Sequence, residues 1–248
     1  MSAPLTRRAD LVRDQRTHPG RPGGDVVRLG VSGSGEQLLV LAWSAADLAR
    51  ERVAGTRLLT SLGVTPGMRV ANTLPGALAT PGSLLLGDVV EELGGLDVPL
   101  GQVDGAAVAR SAWELVDRVT PDVIVIDQAS APHFLAAAPP AARPWWRGIV
   151  WLRMGASIAP PSIDAGTAFD GWQRTWLAVP EVTSFVAGTC AASRFHVDDG
   201  VVAEIVEGAL VLTPRGGDVA PRRYVSDVPA RLVTGPCSCG APGTVLEI

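Results

Sequence analysis

A chain of 248 residues with 47% hydrophobic and 19% charged residues holds enough apolar material for a buried core, which sets it apart from disordered sequences. Its net charge of −4 and the lack of any basic run argue against a nucleic-acid surface, and no apolar stretch approaches the ~18–20 residues of a membrane span. The opening MSAPLTRRADLVRDQRTHPG has no apolar core of a secretory signal. A cytoplasmic location is expected, where three cysteines serve as thiols or metal ligands rather than disulfides.

In chain order, positions 1–25 are polar, with Gly and Pro, and read as an arm with one short helix. DVVRLGV (25–31) reads as a strand, VSGSGEQ (31–37) as a tight loop and LLVLAW (38–43) as the returning strand of a hairpin. A helix follows, opened by Ser44 with Asp47 in capping-box spacing. Leu48, Gly55, Leu59 and Leu62 form its buried stripe. RVANTL (69–74) is a strand. Helix and strand then alternate: helix 83–95, strand 96–100, helix 104–119, strand 122–127, and a short helix from APHFLAAA. Such alternation implies a largely parallel sheet. The prolines of APPAARPWW (138–146) mark a boundary. Beyond it GIVWLRM (148–154) is strand-like, and from 181 onward the runs are short and β-rich. The expected architecture is α/β, with an α/β pocket subdomain over 1–145 and a smaller β-rich subdomain over 146–248.

All 21 basic residues are arginine. The chain therefore cannot form a Schiff base or place a lysine in a phosphate-binding loop.

Cysteine usage is the most specific signal. Cys190 lies six residues before His196, and Cys237 and Cys239 flank one serine in PCSCGAPG. Three thiolates and one imidazole are a tetrahedral zinc set, and a closed four-ligand site is structural. The other reading is buried or idle thiols, since free cysteine often packs as a small hydrophobe. Asp127, closing the strand at 122–127, lies where α/β folds place ligand-binding groups, and is equally a good turn former. His133 reads as a helix-start histidine, and most of the tryptophans as core or a partner surface rather than the lining of an aryl pocket. No catalytic residue set can be assembled.

Three stretches in order resemble the adenylate-forming superfamily, in its phenylacetate-CoA ligase-like branch. PLTRRADL…GDVVRLGVSGSGEQLLVLAWSAADL resembles the lead-in and Ser/Thr/Gly-rich phosphate loop. LGVTPGMRVANTLPGALATPGSLLLGDVVEELG resembles the following acyl-pocket segment, and HVDDGVVAEIVEGALVLTP…RRYVSDVPARLVTGPCSCG the end of the large domain. The resemblance implies a reduced large domain, without the C-terminal domain that carries the family's catalytic lysine. It also implies zinc ligation by Cys190, His196, Cys237 and Cys239, as in some family members. Nucleotide or substrate contacts are implied at Ser32, Gly33, Ser34, Gly35, Glu181 and Asp227. In the family pattern Glu181 contacts adenine and magnesium, and Asp227 holds the ribose.

The motifs are altered. Glu36 stands where the loop lysine would be, and a carboxylate repels phosphate. LAVPE keeps only Glu181 of its motif, and YVSD lacks the glycine of its own. Use of ATP and magnesium is therefore in doubt. The leading expectation is a small-molecule-binding protein of a biosynthetic pathway, with an aryl or acyl carboxylate or acyl thioester as partner and without full ATP-dependent ligation. The alternatives are a zinc-stabilised scaffold that binds a partner enzyme, and residual carboxylate adenylation. A homodimer is expected by family analogy alone.

Overall fold

The structure is a computed structural model that describes residues 4–18, 24–76, 80–141, 143–156, 169, 171–216 and 223–248. Helix α1 (Arg8–Thr17) precedes the hairpin of β1 (Val26–Ser32) and β2 (Leu39–Ser44). Helix α2 (Ala45–Ser61) starts at Ser44, whose hydroxyl accepts the Asp47 N–H at 3.1 Å while the Asp47 carboxylate accepts the Ser44 N–H at the same distance. The capping box read from the sequence is thus formed.

Next come β3 (Arg69–Asn72), α3 (Ser83–Glu92), β4 (Leu96–Pro99), α4 (Ala106–Val119), β5 (Val123–Ile126), α5 (Ala131–Ala136) and β6 (Gly148–Met154). The remainder is β7 (Trp172–Val179), β8 (Thr183–Thr189), β9 (Phe195–Val197), β10 (Val201–Val206), β11 (Ala209–Pro214), β12 (Tyr224–Val225), β13 (Arg231–Leu232) and β14 (Val245–Glu247). Strand 69–74 is shorter than expected and ends at Asn72; the Thr73 N–H still donates to Val125 O at 3.0 Å, and its hydroxyl donates to Asp127.

A nine-stranded sheet runs β13-β14-β9-β8-β7-β6-β5-β3-β4. From β4 to β7 the neighbours are parallel; from β7 to β13 they are antiparallel. The fold is therefore α/β with a mixed sheet, helical in its first half and β-rich in its second. β5 pairs with β6, so the sheet is continuous across positions 145 and 146. A second sheet, β10-β11-β12, packs against the antiparallel half.

The side-chain period of two along a strand distributes β5 between two cores. Val123 and Val125 join Leu58, Leu59, Leu86 and Val89 of α2 and α3 on one face. Ile124 and Ile126 join Trp113, Val116 and Phe134 of α4 and α5 on the other. Trp113 stacks on Phe134 at 4.7 Å and Trp176 on Phe185 at 4.8 Å, so these tryptophans fill the core. Among the described residues, no helix is long and apolar enough to cross a membrane.

Candidate functional site

β7 is the last parallel strand, and a tight turn at its carboxyl end sends the chain back as β8, with Val182 N–H bonded to Val179 O at 2.8 Å. Glu181 sits in that turn and is nearly fully buried. The end of β1 delivers Ser32 to it: the Ser32 hydroxyl donates to Glu181 Oε1 at 2.7 Å. Two residues separated by most of the chain, both picked from the sequence, therefore meet.

The third member of the site carries no signal in the sequence. Arg8, at the start of α1, pairs through Nη1 with Glu181 and donates to the Ser32 hydroxyl at 3.1 Å. Its Nη2 donates to the carbonyls of Ser32 at 2.8 Å and Gln37 at 2.7 Å. Gly33 makes room for this guanidinium: its φ is +75°, and a Cβ there would lie 2.3 Å from Arg8 Nη2. The loop thus turns carbonyl oxygens and a hydroxyl toward a cation. The arm is fixed upstream by Thr6, which exchanges backbone hydrogen bonds with Arg223 (3.1 Å) and Val225 (2.9 Å) beside β12. No local pattern distinguishes Arg8 from the adjacent Arg7. The signal lies in a contact between the arm and a turn far along the chain.

Ser34, Gly35 and Glu36 lie on the exposed side of the loop, where Ser34 precedes a single 3-10 turn over Gly35–Gln37. Tyr224, in β12, is buried beside the site. Burial pushes its phenol well up from the ordinary value, the Glu181 carboxylate adds to the push, and Arg8 pulls the other way. Asp227 acts on Tyr224 in the same sense as Glu181, and its carboxylate lies against Gly155, just beyond the carboxyl end of β6. A cleft of about 1340 Å³ opens beside Glu181, with apolar walls from Leu29, Val40, Trp43 and Val53 and charged walls from Asp47, Glu51 and Asp198.

Asp127, also at the carboxyl edge of the parallel strands, is committed to structure. Its Oδ1 accepts the N–H groups of Ala129 (2.9 Å) and Ser130 (3.0 Å), and its Oδ2 accepts the Thr73 hydroxyl (2.8 Å). His133 is exposed on α5.

A second constellation forms at the antiparallel end. Cys190 follows β8, His196 lies in β9, and Cys237 and Cys239 lie in the turn before β14, which pairs Val245 with His196. The sheet therefore brings the two ligand pairs together across more than forty residues. One ligand atom from each residue lies within 4.8 Å of every other. Cys190 Sγ is 3.8 Å from Cys237 Sγ, and Cys239 Sγ is 3.3 Å from His196 Nε2. A tetrahedron with metal–sulfur arms of ~2.3 Å and metal–nitrogen arms of ~2.0 Å has edges of about 3.8 and 3.5 Å, so the spacing fits. The Ala241 N–H also points at Cys239 Sγ, at 3.4 Å. Burial raises the Cys190 thiol, but N–H groups from Arg194 and Ala192 and the neighbouring thiols outweigh it and bring the value down to about 6, favouring the thiolate a metal needs. The four residues can hold a metal.

The arrangement defines a class: a mixed α/β sheet with the Arg8–Glu181–Ser32 cluster at its carboxyl edge and a Cys3His cluster at the far end. No family model matches the sequence, and no curated protein matches it. Solved structures do. An open conformation of 2-hydroxyisobutyryl-CoA ligase, in complex with 2-HIB-AMP and CoA, superposes with a TM-score of 0.82 at 16% identity, covering 99% of this chain and 58% of that one. A long-chain-fatty-acid-CoA ligase from Archaeoglobus fulgidus gives 0.57 at 8% identity (77% of this chain, 42% of that one). The anthranilate CoA ligase AuaEII, in complex with anthranoyl-AMP, gives 0.52 at 12% identity (79% and 40%). The fold is that of the adenylate-forming CoA ligases, and the chain spans somewhat over half the length of the ligase it matches across nearly all of its own.

Proposed function

We propose that this protein, a variant of the phenylacetate-CoA ligase-like branch, binds an aryl or acyl carboxylate or its activated ester within a biosynthetic pathway, without full ATP-dependent CoA ligation. The observation that carries the reading is the occupancy of the loop by Arg8. Glu181, the carboxylate that the resemblance assigns to magnesium and adenine, is held by an internal guanidinium and by Ser32. The loop carbonyls of Ser32 and Gln37 face that same guanidinium. Carbonyl oxygens repel phosphate, and Glu36 adds a negative charge to the loop. The cleft beside Glu181, apolar along Leu29, Val40, Trp43 and Val53, offers space for a small organic group, and the solved structures that the chain resembles hold acyl adenylates.

Residual adenylation is the second reading. Glu181 and Asp227, the two carboxylates it needs, both lie within electrostatic reach of Tyr224. In either case the Cys3His cluster is proposed to hold a structural zinc, because its four ligands leave no open position. Zinc there would tie the turn after β8 to the turn before β14.

A thermal-shift screen separates the readings, because a ligand at one hundred times its Kd stabilises by ~2.7 kcal/mol. Aryl acids or acyl thioesters are expected to raise Tm, and ATP with magnesium to leave it unchanged. A shift with ATP or an acyl-adenylate analogue, and none with acids or thioesters, would establish residual adenylation instead.

A further inference from the structure

The arginines of the parallel half differ by edge. At the amino edge, Arg69 donates to Val119 O (2.6 Å) and the Thr120 hydroxyl (2.9 Å), and Arg147 pairs with Asp122 at 2.9 Å. At the carboxyl edge, Arg153 is the second-to-last residue of β6, opposite Leu177 of β7. Strand alternation puts Arg153 on the same sheet face as Trp151. Trp151 belongs to the apolar cluster of Phe134 and Phe169, and Leu177 to that of Tyr224 and Val228. The Arg153 side chain thus leaves the sheet between two apolar clusters. Its Nε is fully buried and has no hydrogen-bond partner, and no carboxylate forms an ion pair with it among the described residues. Burial is the one influence resolved on its guanidinium, and it opposes the charge.

A half-buried guanidinium with no counter-charge is costly, and such a group persists where a ligand supplies the missing charge. The location agrees: open α/β sheets bind ligands outside the carboxyl ends of their parallel strands. Two residues further on, Gly155 lies against the Asp227 carboxylate, where a Cβ would come within 2.8 Å of Oδ1. We propose that Arg153 is an oxyanion-binding residue at the carboxyl end of β6 that recognises the carboxylate or phosphate oxygens of the bound ligand. This rests on the reading of the protein as a carboxylate binder and adds a residue that selects for negative charge; Arg153 does not line the cleft beside Glu181 and leaves the sheet on the face opposite α2. The guanidinium fork matches two oxygens of either group, and Nε–H and one Nη–H form one edge of that fork.

The test uses the full chain as wild type, Arg153→Met and Arg153→Lys, titrated calorimetrically with benzoate, benzamide and inorganic phosphate. Benzoate is expected to bind wild type at least tenfold more tightly than benzamide, with that preference lost in Arg153→Met and partly kept in Arg153→Lys. Ligand-free Arg153→Met is expected to melt no lower than wild type, because an unpaired charge gives way to an apolar chain. Binding of phosphate but not benzoate, lost in Arg153→Met, would keep Arg153 as the oxyanion residue and remove the carboxylate reading. Equal benzoate binding by wild type and Arg153→Met would keep the carboxylate reading and overturn the role of Arg153. No response to either anion, or a marked fall in Tm in Arg153→Met, would also overturn it.

Discussion

The guanidinium of Arg8 and the carboxylate of Glu181 are joined although 173 positions separate them in the chain. The pair closes the mouth of the β1–β2 loop over the turn that follows β7. It links the N-terminal arm to the carboxyl edge of the main sheet, so its energetics can be read by mutation.

Arg8→Ala would leave a nearly buried carboxylate held by the Ser32 hydroxyl, and would free two loop carbonyls. Breaking a buried pair from one side costs ~3–5 kcal/mol. A loss near the lower end is expected, because the Arg8 side chain is 27% exposed. Glu181→Gln in the Arg8→Ala background should recover part of it. A double-mutant cycle by urea unfolding measures the coupling, and a value near zero would show the pair to be energetically idle.

Cys237→Ser and Cys190→Ser each remove one of four ligands. Purified wild type should carry one zinc per chain by elemental analysis, and each variant less than one. A contribution on the order of 3 kcal/mol, well below what zinc-finger peptides gain from their metal, corresponds to a fall of about 6–12 °C in Tm for a chain of this size. Strong chelators should lower wild-type Tm in the same way and leave the variants unmoved. Metal-free wild type with an unchanged Tm would refute the assignment.

Gly55 lies on the buried face of α2, where helix propensity alone favours alanine by ~1 kcal/mol. The fold reverses that sign. A Cβ at Gly55 would come 2.6 Å from Val89 Cγ2 and 2.8 Å from Phe185 Cζ, both fully buried. Gly55→Ala should therefore destabilise by ~1–3 kcal/mol, as overpacked cores do. Adding Val89→Ala should relieve the clash, and chemical denaturation of the two variants checks this.

Glu51 of α2 is buried, and desolvation raises its carboxyl above the ordinary 4.5, although Thr183 and the Ser184 N–H, at 2.9 Å, hold it down in part. The nearby Asp47 adds to the rise. The folded state thus keeps this proton to higher pH than the unfolded state does. Its contribution to stability is complete below about pH 4.5 and is lost as pH rises through the folded value. The stability of Glu51→Gln minus that of wild type should accordingly grow with pH above about 4.5, in paired melts across that range. A difference independent of pH would show that Glu51 is ionised in both states.

The sequence by itself determined the elements. The Ser44 capping box, the α2 stripe and the alternation of apolar runs from 69 to 126 act within a few residues, so local periodicity and turn chemistry expose them. It also singled out the four Cys and His residues that the fold brings within 4.8 Å of one another, because ligand chemistry is legible in residue type. Tertiary structure decided which groups meet. Asp127 had the right position for a ligand contact, yet two backbone N–H groups and the Thr73 hydroxyl occupy it. Arg8 resembled its neighbour Arg7 until the arm docked on β12 and brought it to Glu181. Arg153 lay in a plain apolar run until the sheet set it between two clusters with no partner. A side chain's ionic environment is a sum over groups brought close by chain folding, and spacing along the chain does not encode that sum.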